Sequence, residues 1–565
     1  MCECPGMGDV LRVGNCSGFY GDRFAAMREM LEGGELDVLT GDYLAELTML
    51  ILGRDRRRDP NTGYARTFLA QLRDNLRLAL DRGVRVVADA GGVNPAALVA
   101  AIRELAAGQG LRPRVALVRG DDLTGRAAAL GLGSPLGAHA YLGAFGIADA
   151  LTGGADVVVT GRVTDASLVV GPGIARFGWG RGDLDALAGA TVAGHVLECG
   201  TQATGGNHPF FAELGDLTRP GFPVAELRPD GSCVVTKHPG TGGAVTVGTV
   251  TAQLVYEVGD ARYPGPDVTT RLDTVRLRQD GPDRVAITGV RGEPPPPDVK
   301  VSLTALDGWR NAVTVVLTGL DIDAKAELFR RQFRAGLSAE PAELTFTLAR
   351  VDAPDAPTQQ QASALLTVAG RDADERQVGR AFSDAAVELA LGSYPGLFAT
   401  APPGGASPAG VVTAGWVPQS VPEHEVVHDD GTVRRIAPPP VTSPLAPLTG
   451  EPAPGPGDPG PCRRLPLGTL AGARSGDKGR DATIGLWVRD DAAYPWLASL
   501  ITPDTVRRLL PEAAGLPVTV TRLPHLRAVT VVVAGLLGPG RFDPQGKGVG
   551  EWLRSRHVDV PEALL

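Results

Sequence analysis

The chain has 565 residues, of which 43% are hydrophobic and 21% are charged. This length exceeds what one hydrophobic core usually supports, so we expect two to four domains. The net charge of −9 argues against a nucleic-acid partner, and six scattered cysteines favour a reducing compartment. No stretch of the sequence reaches the roughly 20 apolar residues that a membrane span needs. These properties predict a cytoplasmic protein that contacts neither nucleic acid nor membrane.

Residues 10–266 alternate short apolar strands with helical patterns, which predicts an α/β domain built on a parallel sheet. Several strands end in glycine-rich loops, and in such sheets the loops meet at the carboxyl edge, where ligands bind. We therefore predict one composite site formed by four loops: Gly14-Asn15-Cys16-Ser17-Gly18, Thr40-Gly41-Asp42, Ala90-Gly91-Gly92-Val93-Asn94-Pro95 and Thr160-Gly161-Arg162-Val163-Thr164-Asp165.

The pattern changes after residue 266. Residues 267–400 show strands in succession and then helices, which predicts an α+β domain. Residues 401–463 are rich in proline and glycine and are interpreted as a linker. Residues 464–565 show a β-rich order with two helices, which predicts a ferredoxin-like domain.

Two loops offer small polar side chains beside glycines. Asn15 and Ser17 lie in the first loop, and Asn94 precedes Pro95 at the predicted start of a helix. Glycines let the backbone approach a ligand, and free N–H groups at a helix start attract anions. We predict that these three residues bind substrate, and that Asn94 is also the N-cap of the helix that begins at Pro95. For the first loop, a tight turn without a ligand is the alternative.

Asp42 and Glu46 are four residues apart, so a helix would place them on one face. Two carboxylates at the sheet edge suit acid–base catalysis or a divalent metal. Alternatively, Asp42 caps the helix and Glu46 pairs with an arginine. Arg162 follows an apolar strand and suits bidentate binding of a carboxylate or phosphate, with Asp165 orienting it. A structural ion pair between Arg162 and Asp165 is the alternative.

His195 and Glu198 are three residues apart and would face the same way on a helix. This spacing suits acid–base chemistry, with Glu198 as a base. It also suits metal ligation, but a third ligand is not evident, and we expect no metal. The adjacent Cys199 is a nucleophile candidate, although a buried cysteine often serves only as a small apolar residue.

Two further segments combine cations with glycines. Lys237 and His238 precede Pro239-Gly240-Thr241-Gly242-Gly243, which suggests an anion cradle, or a glycine hairpin with an exposed lysine. Arg474 and Lys478 flank a nest-like turn in the last domain. This turn either holds an anion, closing onto the large domain's site, or is a simple charged turn.

These segments together resemble the acyclic terpene utilisation family of AtuA-like proteins, from Leu11 over nearly the whole chain. Two departures stand out: Ala88-Asp89-Ala90 lies where the family would place a serine- or asparagine-containing strand end, and the linker is unusually proline-rich. The signatures are Gly14-Asn15-Cys16-Ser17-Gly18-Phe19-Tyr20-Gly21-Asp22, Leu39-Thr40-Gly41-Asp42-Tyr43-Leu44-Ala45-Glu46, Val159-Thr160-Gly161-Arg162-Val163-Thr164-Asp165, Glu198-Cys199-Gly200, Lys237-His238-Pro239-Gly240-Thr241-Gly242-Gly243 and Ala473-Arg474-Ser475-Gly476-Asp477-Lys478-Gly479.

The resemblance implies a ferredoxin-like C-terminal domain and a role in breaking down citronellol- or geraniol-type compounds and branched acyl-CoA thioesters. We predict a homo-oligomeric lyase, either a hydratase/dehydratase or a C–C lyase. Glu198 or Asp42 would move the proton with help from Glu46, while Arg162 and the Lys237-His238 loop hold the anion. We expect no cofactor, with coenzyme A only as part of the substrate. The alternatives are a non-catalytic assembly partner and a biosynthetic use of the same fold.

Overall fold

The computed structural model describes residues 10–446, 460–538 and 548–565, with the side chains of residues 46 and 47 excepted. By internal contacts the chain divides into two compact units, residues 1–304 with 412–565 and residues 305–411. Within the described residues, no helix has both the length and the apolar character that crossing a bilayer requires.

The first 260 residues alternate strands and helices, as the sequence pattern predicts. The elements are β1 (Leu11–Asn15), α1 (Ala26–Gly33), β2 (Val38–Gly41), α2 (Glu46–Arg58), α3 (Arg66–Asp81), β3 (Arg85–Ala88), α4 (Pro95–Gly108), β4 (Val115–Arg119), β5 (Gly137–Ala140), α5 (Phe145–Thr152), β6 (Val157–Thr160), α6 (Ser167–Phe177), α7 (Leu184–Leu197), β7 (Pro223–Leu227), β8 (Cys233–Lys237) and α8 (Val247–Leu254).

The middle of the chain contributes mainly strands. They are β9 (Arg262–Pro264), β10 (Thr269–Arg271), β11 (Arg276–Gln279), β12 (Val285–Thr288), β13 (Arg291–Glu293), β14 (Asp298–Thr318), β15 (Glu343–Ala349), β16 (Ser363–Asp372), β17 (Phe398–Ala399), β18 (Ser407–Pro418), β19 (Glu425–Val427) and β20 (Val433–Arg435), with helices α9 (Ile322–Gly336), α10 (Glu375–Val378) and α11 (Arg380–Val387).

The last hundred residues form the ferredoxin-like domain. Its elements are β21 (Cys462–Pro466), β22 (Ala471–Lys478), β23 (Asp481–Val488), α12 (Tyr494–Leu500), α13 (Pro503–Leu509), β24 (Val518–Leu523), β25 (Ala528–Val533), α14 (Val549–Ser555) and β26 (His557–Pro561). Four strands make an antiparallel sheet in the order β22-β23-β25-β24.

The α/β class and the ferredoxin-like domain are confirmed, but the large sheet is mixed rather than parallel. Its order is β11-β12-β8-β7-β1-β2-β3-β6-β4-β19-β20. Among the described residues, the central strands β1, β2, β3, β6 and β4 run parallel to one another. The outer strands pair antiparallel, and the short connection from β7 to β8 permits nothing else.

The structure also differs from the predicted domain bounds. Strands β11 and β12 fall in the predicted α+β domain at 267–400, yet they belong to the large sheet, and the second compact unit spans 305–411. Strands β19 and β20 fall in the predicted linker at 401–463, yet they extend the same sheet beyond β4. Residues 447–459 of that linker lie outside the described residues.

The central parallel strands are buried on both faces. Along β6, Val157 and Val159 pack with α1, α3 and α4, whereas Val158 packs with α5, α6 and α7. Successive side chains of a strand point to opposite faces, so an uninterrupted apolar run fills both cores. This double cover leaves the carboxyl ends of the strands as the place where polar side chains gather.

The loop after β3 is fixed by a glycine that sits against the loop after β6. The Gly91 N–H donates to the Thr160 carbonyl at 3.0 Å. A Cβ atom at Gly91 would lie 2.4 Å from that carbonyl oxygen and 2.4 Å from the Pro95 Cβ. Gly91 therefore sets the spacing between the two loops.

We predict that Gly91→Ala lowers the free energy of unfolding by about 1–3 kcal/mol, because the added methyl group overpacks this contact. Urea denaturation measures the change. Gly108→Ala in α4 is the matched control, since a Cβ there would meet nothing within 4 Å. That control should be neutral or stabilise by up to about 1 kcal/mol. A Gly91→Ala variant as stable as the wild type would contradict the prediction.

Candidate active site

Four parallel strands deliver polar side chains to one edge of the large sheet. Asn15 ends β1, Asp42 follows β2, Asp89 follows β3, and Arg162 lies two residues beyond β6. Asn15, Asp42, Asp89 and Arg162 are each at most 5% exposed. The edge therefore buries ionisable groups, which are stable inside a protein only when they are paired.

The Arg162 side chain is the cation of this edge. Its Nη1 donates to the Leu44 carbonyl at 3.0 Å, and its Nη2 lies 2.7 Å from the Asp165 Oδ1. The guanidinium carbon lies 4.3 Å from the centroid of the Tyr141 ring, which covers one face of the group. The Arg162 backbone N–H donates to the Asp121 carboxylate at 3.0 Å. The buried Nε has no hydrogen-bond partner among the described residues.

Three carboxyl groups surround this cation. Asp42, Asp89 and Asp165 each offer one oxygen, and these oxygens lie within 4.8 Å of one another. The backbone orients two of them: the Asp89 Oδ1 accepts from the Tyr43 N–H at 2.7 Å, and the Asp42 Oδ1 accepts from the Leu44 N–H at 2.9 Å. The three carboxyls are the described residues that could hold a divalent cation.

Burial raises the pKa of each of these carboxyls. For Asp42 the neighbouring Asp89 and Asp165 carboxylates add to the effect, and Arg162 opposes it. Burial also raises the pKa of Asp89, although Arg162 again opposes it. The pKa of Asp165 rises to about 7, since burial and the Glu198 and Asp89 charges outweigh Arg162. Burial therefore favours the protonated form of these carboxyls more than it is favoured in exposed carboxyls.

His195 and Glu198 meet at the end of α7, as their spacing predicts. The His195 Nδ1 lies 3.0 Å from the Glu198 Oε1. Burial lowers the pKa of His195, but the Glu198 carboxylate outweighs burial and the net shift is upward. The buried His195 Nε2 and Glu198 Oε2 have no hydrogen-bond partner among the described residues.

Asn15 holds the end of α7 in place. Its amide donates to the Leu197 carbonyl at 2.5 Å and to the Glu198 carbonyl at 3.3 Å. The predicted substrate-binding residue therefore links β1 to the helix that carries the candidate base. At Cys199, burial and the Glu198 charge raise the thiol pKa well above its usual range, so a thiolate nucleophile is disfavoured there.

Two other loop residues bond to backbone carbonyls, Ser17 within its own loop and Asn94 in the loop between α2 and α3. The Ser17 hydroxyl donates to the Phe19 carbonyl at 3.0 Å. The Asn94 amide donates to the Pro60 and Thr62 carbonyls, each at 2.8 Å, and its side chain makes no cap hydrogen bond to α4. The substrate-binding roles of Ser17 and Asn94 stay predictions.

Lys237 and His238 have partners elsewhere. The Lys237 Nζ donates to the Thr241 carbonyl at 2.7 Å and lies 3.1 Å from the Asp283 carboxylate. The His238 Nε2 lies 3.0 Å from the carbonyl of Met30 in α1. No hydrogen bond or ion pair within the described residues joins Lys237 or His238 to the three carboxyls, and their anion-binding role stays a prediction.

Glu46 begins α2, and its side chain lies outside the described part of the chain. Its predicted role in assisting proton transfer therefore stays a prediction. Asp89 is the member of the buried cluster that no sequence motif predicted as a site residue. Its position gave a usable signal, because Asp89 directly follows the apolar strand β3 and polar residues also lie at the ends of the neighbouring strands of the sheet.

The C-terminal segment predicted as a turn is a strand. Residues 471–478 form β22 and pair in register with β23, so the interpretation of Arg474 and Lys478 as flanks of a turn was wrong. Arg474 donates to the Gln202 side chain, and its guanidinium lies 4.5 Å from the centroid of the Tyr256 ring. β22 therefore packs directly on the large domain.

Two sequence-family models match this chain. A sequence model described as acyclic terpene utilisation family protein AtuA matches residues 11–428, and one described as AtuA ferredoxin-like domain matches residues 465–559. The chain belongs to the acyclic terpene utilisation family. No curated protein and no solved structure matches it significantly. In this AtuA-family chain, the first match spans Asp42, Asp89, Arg162 and Glu198, and the second spans Lys478.

A buried histidine lies where the ferredoxin-like domain meets the large domain of this family member. The His208 ring centroid is 6.0 Å from that of Trp487 in β23. Burial lowers the pKa of His208 from 6.5 to about 4, and the nearby Arg489 guanidinium adds to the effect. The folded protein therefore keeps this histidine neutral in a pH range where the unfolded chain protonates it.

We predict that this histidine makes the AtuA-family protein lose stability as the pH falls from 6.5 to about 4. The unfolded state binds more protons than the folded state in that window, which gives a slope of up to about 1.4 kcal/mol per pH unit. His208→Gln should flatten this slope, measured by urea denaturation at several pH values. The exposed His525→Gln is the control, and an unchanged slope in His208→Gln would disprove the assignment.

Proposed function

We propose that this protein is an enzyme that moves protons on a branched acyl-CoA thioester or a related carboxylate, as a hydratase/dehydratase or a C–C lyase. The observation that carries the proposal is the buried Arg162 among Asp42, Asp89 and Asp165. A fixed cation beside carboxyls of raised pKa suits a reaction in which negative charge develops on a carbonyl oxygen.

Neither candidate reaction changes the overall oxidation state of the substrate, and the protein has only to move protons. In hydration, a base takes one proton from water, the water oxygen bonds to the β-carbon of an α,β-unsaturated thioester as the double bond to the α-carbon opens, and a proton is delivered to the α-carbon. In retro-aldol cleavage, a base removes the hydroxyl proton, the bond between the α- and β-carbons breaks, and the α-carbon is protonated. Neither reaction needs an external oxidant or reductant, so acid–base groups and an anion holder suffice.

The site supplies a distinct group for each task. Glu198 is the proposed base, because its Oε1 is held by His195 and its Oε2 has no partner among the described residues. Arg162 would hold the substrate carboxylate or the developing oxyanion through its donor groups. Asp42, whose raised pKa favours the protonated form, would return the proton.

The family description supports this choice of substrate class. Utilisation of acyclic terpenes requires the breakdown of methyl-branched chains, and thioesters of such chains are substrates for the two reaction types above. We propose coenzyme A as part of the substrate rather than as a resident cofactor. Homo-oligomerisation and a cytoplasmic location remain predictions.

We predict that Glu198→Gln lowers kcat by about 100-fold or more while changing substrate affinity little, because the amide keeps the shape but loses the base. The assay incubates purified protein with 3-methyl-branched acyl-CoA thioesters, both α,β-unsaturated and 3-hydroxylated, and follows products by mass spectrometry. Steady-state kinetics on the best substrate then separate kcat from KM.

The matched control is Glu104→Gln, which makes the same change at an exposed position of α4 and should leave turnover unaltered. Turnover of Glu198→Gln at the wild-type rate would remove Glu198 from the mechanism. Wild-type protein that leaves every thioester intact, yet co-purifies tightly with a pathway enzyme, would instead favour the assembly-partner alternative.

We also propose that the reaction proceeds without a metal ion, because Arg162 already places a fixed positive charge against the three carboxyls. Elemental analysis of the purified protein should find less than about 0.1 equivalents of any divalent cation, and chelation should leave turnover unchanged. Stoichiometric metal that is lost in an Asp89→Asn variant would overturn this proposal and assign the carboxyls as ligands.

A further inference from the structure

Glu257 has an unusual backbone conformation for a partly buried acidic residue. It lies three residues beyond the end of α8 with a φ of 56°, in the left-handed region that glycine normally occupies. This conformation costs an L-residue with a side chain roughly 1–2 kcal/mol. Such local strain concentrates at functional sites, so Glu257 is a candidate for a role that glycine could not fill.

Every second side chain of β22 lies on the face of the strand that is directed toward Glu257. Ser475 points the other way, since its hydroxyl accepts from the Gly550 N–H at 2.9 Å in α14. Arg474 points toward the large domain, where its guanidinium covers the Tyr256 ring at 4.5 Å. Because successive residues of a strand alternate between faces, Gly476 and Lys478 share the face of Arg474.

Glycine lets the strand approach Glu257 closely. A Cβ atom at Gly476 would lie 2.7 Å from the Glu257 Cγ and 2.8 Å from the Tyr256 Cε2. On the neighbouring strand, a Cβ atom at Gly485 would lie 2.3 Å from the Val255 Cγ2. Two glycines therefore bring the backbone of the ferredoxin-like domain against the turn that carries Glu257.

Lys478 brings positive charge to this contact. The Lys478 ammonium opposes the rise that burial causes in the pKa of Glu257, and it has the same effect on Asp165. Lys478 thus acts on a carboxyl of the catalytic cluster and on one that the proposed mechanism has not used. The titratable and charged groups that interact with Glu257 are Lys478 and Asp477 on β22, Arg474 on the same strand, Tyr256 on its own turn, Tyr263 on β9, and His195, Glu198 and Cys199 at the end of α7.

We infer that Glu257 and Lys478 act as an electrostatic pair across the domain boundary that completes the active site, in which the Glu257 charge positions the exposed Lys478 ammonium to hold the anionic group of the substrate. The inference rests on the proposed function for its substrate class. It makes the ferredoxin-like domain part of the catalytic unit, because the large domain alone would present Glu198, Asp165 and Glu257 without this cation.

Kinetics of single variants test the role of the pair. Lys478→Met should raise KM at least 10-fold with a smaller effect on kcat. Glu257→Gln should lower kcat/KM about 5- to 10-fold, because a misplaced lysine binds the substrate less well. Glu257→Gly should lower kcat/KM equally while leaving the Tm unchanged or higher, since glycine relieves the left-handed strain.

The controls make the same chemical changes elsewhere. Arg480→Met removes a positive charge just beyond β22, and Asp355→Gly relieves a left-handed acidic residue, of φ 50°, in the second unit. Both controls should keep kcat/KM within twofold of the wild type. Full activity in Glu257→Gly, or an unchanged KM in Lys478→Met, would overturn the inference.

A second measurement tests the pair without any substrate. Burial raises the pKa of Glu257, so its contribution to stability falls as the pH rises above 4.5. Lys478→Met should raise that pKa further and enlarge the loss of Tm between pH 5 and pH 8 by about 2 °C. The enlargement should vanish when Lys478→Met is combined with Glu257→Gln, and Arg480→Met should show no such coupling.

The two proposals can therefore fail separately. Thioesters that are never turned over, together with intact coupling in the Tm series, would refute the proposed function and leave the electrostatic pairing of Glu257 with Lys478 standing. Normal turnover by the wild type with additive effects of Lys478→Met and Glu257→Gln on Tm and on kcat/KM would refute the electrostatic pairing and leave the proposed function standing.

Discussion

The burial of Arg162 is the interaction on which the rest of the site depends. An arginine cannot lose its proton inside a protein, so it must be surrounded by acceptors and negative charge. The chain supplies the Leu44 carbonyl and the Asp165 carboxylate, with Asp42 and Asp89 close by. Loops that follow β2 and β6 are thereby tied to one guanidinium, with the loop after β3 beside them. Burial in turn raises the pKa of the three carboxyls although the guanidinium opposes the rise.

The balance of charge between Arg162 and the three carboxyls depends on the positions of the surrounding loops. Gly91 lets the loops after β3 and β6 touch, and Asn15 ties β1 to the end of α7. Each of these contacts fixes the distance between a charged group and the cluster. Because electrostatic energies vary steeply with distance in a poorly solvated interior, small shifts of these loops would change which carboxyl carries the proton.

Much of this arrangement was predictable from the sequence. Helix α4 begins at Pro95, as Asn94-Pro95 suggests, and His195 contacts Glu198 as a spacing of three on a helix requires. Asp42 and Arg162 meet because both follow parallel strands, which end at a common edge. These features depend on local periodicity and on one topological rule, and both can be read along the chain.

The remaining features depend on tertiary contacts that the sequence does not display. β22 contains glycines and charged residues that favour a turn, and it is a strand because it pairs with β23. Glu257 has no motif around it, and its environment is created by a strand more than two hundred residues later. Lys237 carries the glycine-rich signature of an anion cradle, yet the structure pairs it with Asp283.

The antiparallel pairing of β4 with β19 has a consequence for how the protein is made. Arg119 on β4 contacts Glu425 beside it, 306 residues later in the chain, and residues 305–411 form a separate compact unit between them. During synthesis the ribosome must release that whole unit before the edge of the large sheet can be covered. The exposed edge of β4 is then an aggregation hazard for the nascent chain, and prompt folding of the inserted unit shortens the time for which it persists.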